Sequence, residues 1–326
     1  IRKDFASIRS DEYPIRLWTV AVFLFGVLPL LRKRGIGRLL IGDEYDTSVR
    51  KTTRGIPHYD GLYDQSIYFD QALSRYFMRK GWNISQFSVL RPLSELLIEK
   101  TLVERYPDLH RHQTSCHATH KAGERVYPCG RCEKCRRIVA MLKACGADPV
   151  QCGYTPSQIQ DCLKKLPQKG VSQEAAGARH LFFMLAQKRL IDTNELPPKA
   201  VKAHPEILKL RIDAKSSPIN AIPTGLRKPL FRIFLKHADG AVLRSGRMTR
   251  RVSSSEAATM ACLTLSCTGA SVVAMKRVPM LIPSAPSASA ATINREKIND
   301  TRNKRATLRE KSFSSLALAR SENSAA

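Results

Sequence analysis

At 326 residues, with 43% hydrophobic and 25% charged content, the chain can build one large domain or two smaller ones and is expected mostly to fold unaided. The net charge of +26 favours polyanionic partners: nucleotides, RNA, DNA or an anionic membrane surface. The plain alternative is a solvated surface with a basic tail. No cleavable signal peptide is visible, and the longest apolar run, residues 17–31, is broken by Gly26 and Pro29. A run of that length falls short of the roughly 20 residues a membrane span needs, so it reads as a buried helix. A cytoplasmic protein with no membrane partner is the expectation.

After this first helix, Arg38-Leu39-Leu40-Ile41-Gly42 reads as a short core strand, followed at its carboxyl end by Asp43-Glu44-Tyr45-Asp46. Ligands of open α/β sheets sit at that edge, which makes Asp43 and Asp46 candidates for Mg2+ or a nucleotide ribose, or else turn-forming loop acids. A Gly-containing loop leads to a helix over residues 65–79, with Phe69, Ala72, Leu73, Tyr76 and Phe77 on its inner stripe. Tyr63 and Asp64 precede it, either to touch a substrate or, for Asp64, to favour the helix start. Residues 87–90 suggest a second strand and 94–104 another helix. This alternation points to a parallel sheet with crossover helices.

The cysteines carry the strongest signal. Cys116, Cys129, Cys132 and Cys135 follow C-x12-C-x2-C-x2-C spacing. Disulfide scaffolds are short and scatter their cysteines, whereas four thiolates at this spacing can close a tetrahedral cage around one metal ion. Four thiolates leave no open position, so the site is expected to be structural zinc. An iron–sulfur cluster is the main competitor; against it, position 136 is Arg and the usual further Cys and Pro are absent. His110, His112, His117 and His120 crowd the region as substitute ligands or as polar loop residues. Cys145, Cys152 and Cys162 read as small core residues.

Beyond the cluster, a helix continues through residues 138–142 and stops near Gly146. Thr155-Pro156-Ser157-Gln158 has the form of a capped helix start, and a further helix is expected over residues 174–188. After Gly240 the chain is rich in Ser, Ala, Thr and Arg, with Phe313 its one aromatic, and reads as a disordered basic tail. The expected organisation is a partial α/β domain over 1–110, a four-cysteine zinc-binding segment over 111–145, a helical extension over 146–239 and the tail over 240–326.

Together these pieces resemble the PP-loop ATPases, and within them the 7-cyano-7-deazaguanine synthase (QueC-like) family. The resemblance rests on Ile41-Gly42-Asp43-Glu44-Tyr45-Asp46, on Tyr63-Asp64 before a helix, and on Arg91-Pro92-Leu93-Ser94. It continues through Ser115-Cys116 and Cys129-Gly130-Arg131-Cys132-Glu133-Lys134-Cys135-Arg136, covering roughly residues 14–145. It implies a Rossmann-like parallel sheet of the adenine nucleotide alpha hydrolase type, incomplete at its start, with structural zinc, ATP and Mg2+. The implied activity is adenylation of a small-molecule carboxylate followed by nitrogen transfer, in a 7-deazapurine or related modification pathway. Nucleotide contacts would fall to Asp43, Asp46, Tyr63 and Asp64. The family's Ser-Gly-Gly-x-Asp-Ser loop occurs nowhere in these 326 residues, and Tyr63-Asp64 is followed by Gln65-Ser66 where the synthase has Cys-Arg. A zinc-containing nucleic-acid-binding module, an inactive PP-loop scaffold and a homodimer are the open alternatives.

Overall fold

The chain alternates short strands with longer helices, and a computed structural model describes residues 19–53, 55–59, 63–116, 118–245 and 248–257. Helix α1 (Thr19–Lys33) leads into strand β1 (Arg38–Ile41). Residues 50–59 then form an antiparallel hairpin, β2 (Arg50–Thr53) with β3 (Ile56–Tyr59), turned at Gly55 with φ +80°. Helix α2 (Ile67–Arg79), capped by the Ser66 hydroxyl, crosses back to β4 (Ser85–Ser88), which pairs with β1 in parallel. Leu24 and Leu28 of α1 and Leu73 and Phe77 of α2 are buried together, with Leu39 and Ile41 of β1 against them.

This is a βαβ-like unit, but the expected Rossmann-like parallel sheet is not shown. Among the described residues β1 and β4 form a sheet of two strands. Residues 50–59 fold back on themselves as a hairpin, and the next parallel pairing belongs to a different sheet. The architecture is mixed α/β with small sheets.

Helix α3 (Glu95–Arg105) is shared by two cores. Its N-cap Ser94 accepts from Leu97 N–H and donates to the Ile207 carbonyl, at 3.1 and 2.6 Å. Leu96 faces helices α5 (Glu133–Cys145), α6 (Pro156–Lys169) and α7 (Ala175–Gln187), where Val139, Met141, Leu142, Leu166, Leu181 and Leu185 are buried. Leu93 and Leu97 face a second core built on β7 (Leu210–Asp213) and α8 (Thr224–His237). The helix starts follow the sequence: Thr155 and Gln158 form a reciprocal capping box on α6, and Gly146 ends α5 at φ +83°.

Residues 241–252, read from composition as tail, instead form β8 (Ala241–Ser245) and β9 (Met248–Val252). Strand β8 pairs in parallel with β7 and antiparallel with β9, so the region expected to be a helical extension also supplies a strand. From residue 258 onward the expected tail lies outside the described residues. Among those described, no helix is long and apolar enough to cross a membrane.

Leu142 is fully buried at the centre of the larger core. Leu142→Ala is expected to cost about 2–5 kcal/mol, read as a lowered urea midpoint at unchanged m-value.

Candidate metal centre

Three local elements deliver the cysteines. A four-residue helix, α4 (Pro107–His110), directs the chain towards Cys116. Between Cys116 and Cys129 the chain doubles back as a hairpin, β5 (His120–Ala122) with β6 (Arg125–Tyr127), which returns the backbone to Cys129. Cys132 is the N-cap of α5, its sulfur accepting from Cys135 N–H at 3.4 Å. The C-x2-C-x2 spacing therefore wraps two thiols around a helix N-terminus, whose unpaired N–H groups and dipole favour negative sulfur.

The four sulfurs converge. Cys116 to Cys132 and Cys129 to Cys135 are each 3.8 Å, Cys132 to Cys135 is 3.5 Å, and all four lie within 4.8 Å of one another. Cys116 Sγ also accepts from the N–H groups of Ala118 and Cys129, at 3.3 and 3.2 Å. Burial raises the Cys135 and Cys116 thiols. Burial pushes Cys129 the same way, but N–H donors from Arg131 and Cys132 and the adjoining thiols outweigh it and bring Cys129 down to about 6. One thiolate is thus ready near neutral pH, and the cage could hold one metal ion.

Gly130 fixes the turn between the first two ligands of the tight run. Its φ is +69°, and a Cβ there would lie 2.4 Å from the Gln158 side chain of the α6 capping box. Its carbonyl accepts from Cys162 Sγ at 3.2 Å. Cys162 and Cys152 are buried core residues, as the sequence suggested, and Cys152 lies 3.2 Å from His110 Nε2. His110 is thereby engaged away from the four sulfurs; His120 stacks on Tyr127. His117 lies outside the described residues.

At the carboxyl edge of β1 and β4, the acids named from sequence meet a residue that sequence did not single out as a site. Arg91 is buried and contacts Asp70 at 2.6 Å and Asp43 at 3.4 Å. Its other nitrogen donates to Thr47, Ser48 and the Gln65 carbonyl at 2.8–2.9 Å. Ser88 and Asp43 exchange hydrogen bonds, and Gln86 donates to Asp70. One guanidinium faces two carboxylates. Burial raises both carboxyls, Asp43 to about 8, while the neighbouring Arg91 guanidinium pulls both the other way.

The other named residues sit close by. Asp64 is buried, and its carboxylate accepts from Ala21 N–H at 2.6 Å. It therefore caps α1, a helix 43 residues upstream, whereas Ser66 caps the helix that follows. Tyr63 is half-buried among Tyr59, Tyr68 and Phe69, with ring centroids 5.9–6.3 Å apart. Asp46 is partly buried and raised to about 7 by burial, then by Glu44 and Glu174; its Oδ1 has no hydrogen-bond partner. Asp43 and one oxygen of Asp64 are engaged by internal partners, while Asp46 Oδ1 and Asp64 Oδ1 have no hydrogen-bond partner.

No family model, curated protein or solved structure matches the chain.

Arg91→Met would leave Asp70 buried without its cation. The expected loss is about 3–5 kcal/mol in chemical unfolding, partly recovered in the Arg91→Met/Asp70→Asn double variant.

Proposed function

We propose that the chain is a zinc-braced, QueC-like PP-loop protein, in which a structural metal stabilises an α/β unit that acts with ATP on a carboxylate. The zinc reading rests on geometry and donor type. A tetrahedral ion with thiolates at about 2.3 Å spaces its sulfurs about 3.8 Å apart, which the separations between these four approach. An iron–sulfur cluster places iron and sulfide between its thiolates and needs them further spread. Four sulfur ligands fill the coordination sphere, so the ion serves as a brace and not as a Lewis acid.

The observation that carries the enzymatic part is the meeting of two motif pieces at one edge. Asp43, after β1, and Arg91, after β4, lie in contact where two parallel strands end. Such an edge is where α/β folds hold nucleotides. Asp46 and Tyr63 are the residues there that could turn towards ATP or Mg2+, since Asp43 is held by Arg91 and Asp64 is held at the start of α1 through one of its oxygens. Those two internal engagements also favour a second reading, a zinc-braced scaffold without catalysis.

Turnover separates the two. The zinc-loaded protein, offered ATP, Mg2+, ammonia and a panel of small carboxylates, is expected to release pyrophosphate and AMP. Nucleotide binding without turnover would select the scaffold, and salt-dependent nucleic-acid binding without nucleotide binding would select a nucleic-acid module. Metal binding must displace protons from at least Cys116 and Cys135, whose thiols are raised. Affinity is therefore expected to rise with pH, by about 100-fold per unit where two protons leave, in a competition titration against a chromogenic chelator.

A further inference from the structure

Helix α1 is apolar on both sides. Leu24 and Leu28 are buried against α2, yet Phe23 and Leu30 are 58% and 56% exposed, and Val22, Phe25 and Val27 are also exposed. At 3.6 residues per turn, Val22, Gly26, Leu30 and Lys33 fall along the middle of the outward face, with Phe23 and Phe25 at its margins. A contiguous exposed apolar face marks an interaction surface.

Charge surrounds one end of that face. No Asp or Glu occurs between residues 19 and 42 or between 71 and 94. The first stretch exposes Arg32, Lys33, Arg34 and Arg38, and the second exposes Arg75, Arg79 and Lys80. Arg32 lies 4.4 Å over the Trp82 ring and Lys80 5.8 Å over Tyr76, which joins the ends of α1 and α2 into one surface. None of these cations is ion-paired with a carboxylate among the described residues. Exposed Ile36 and Met78 interleave with them. The described acids of this unit, Asp43, Glu44, Asp46, Asp64 and Asp70, gather instead at the carboxyl edge of β1 and β4.

We propose that the outer face of α1, with the cationic ends of α1 and α2, docks peripherally on an anionic lipid surface. A bilayer accounts for both halves of the pattern: the Phe and Leu side chains enter the headgroup boundary, and the Lys and Arg side chains meet lipid phosphates and carboxylates. A helix of 15 residues is about 22 Å long, shorter than the hydrocarbon core, so it lies in the interface instead of crossing. Nucleic acid accounts for the cations alone. The Trp82 ring is covered by Arg32 and stacked on Phe77, and the apolar chains have no role against a phosphate backbone. A second copy would set like cations against like. The inference is independent of any nucleotide chemistry.

The full chain should co-sediment with vesicles of phosphatidylcholine and phosphatidylserine, in a salt-sensitive way, and not with phosphatidylcholine alone. Phe23→Ser with Leu30→Ser should lower partitioning at least about tenfold. Lys33→Gln with Arg34→Gln should lower it about 25-fold, at about fivefold per cation. Both pairs change exposed side chains, so circular dichroism and metal content should match the parent. Lys228→Gln with Arg232→Gln on α8 makes the same charge change elsewhere and should leave partitioning intact. Absence of vesicle binding, or equal loss in the α8 pair, would overturn the proposal. So would Phe23→Ser/Leu30→Ser abolishing self-association in sedimentation velocity, or binding of a single-stranded RNA oligonucleotide, while vesicle binding persists.

Discussion

Helix α5 is the constraint on which the rest of the larger core depends. Its first turn carries two of the four cysteines, and its body supplies Val139, Ala140, Met141 and Leu142, all fully buried. The same rigid rod therefore holds the four-cysteine cage and anchors α3, α6 and α7. Coupling runs both ways. An ion bound by Cys132 and Cys135 would order the N-terminus of the central helix, and the packed helix presents half the cage preformed. A preorganised pair of ligands reduces the ordering entropy that metal binding must overcome. The remaining two sulfurs arrive on loops, and Gly130 against Gln158 shows how closely those loops are fitted to the core behind them.

The second polar centre follows a different logic. Arg91 is buried with two carboxyls and three neutral oxygens, so its desolvation is offset by contacts to both terminal nitrogens of the guanidinium. Because Arg91 itself follows β4 and its partners come from the loop after β1 and the start of α2, the network fixes where the two strands end relative to each other. The backbone repeats the connection: Tyr45 N–H donates to the Leu93 carbonyl and Arg211 N–H to the Pro92 carbonyl, at 2.9 and 2.8 Å. The sheet edge is a rigid, prearranged feature, and its acids are positioned by structure before any ligand is considered.

What could be read from the sequence was local. The cysteine cage announced itself because two of its intervals are two residues long, and the helices because their apolar stripes repeat over three or four turns. Ser94, Thr155 and Gly146 mark boundaries by the chemistry of a single residue. Strand pairing was harder, since four-residue strands offer barely two periods of alternation. Residues 241–252 were hidden by composition: four arginines lie within the segment and three serines follow it, and only pairing with β7 reveals the strands. The Arg91 network joins residues 21 to 48 positions apart, and no spacing rule reaches that far. Asp64 was expected to serve the helix beside it and serves a distant one instead, because the buried start of α1 carries no acidic residue in its first turn.

The three-stranded sheet also bears on how the polypeptide assembles during synthesis. Tyr45 is gripped from above by Arg211, 3.9 Å from its ring, and its hydroxyl is held by Arg244, 199 positions later. Glu104 and Lys100 likewise await His237 and Asp239. An emerging chain can complete its cysteine cage and central helices early, while the loop beyond β1 stays unclosed until translation has passed residue 244. Long-range closure of this kind is slow, so the ribosome-bound intermediate would display that loop to chaperones for much of its elongation.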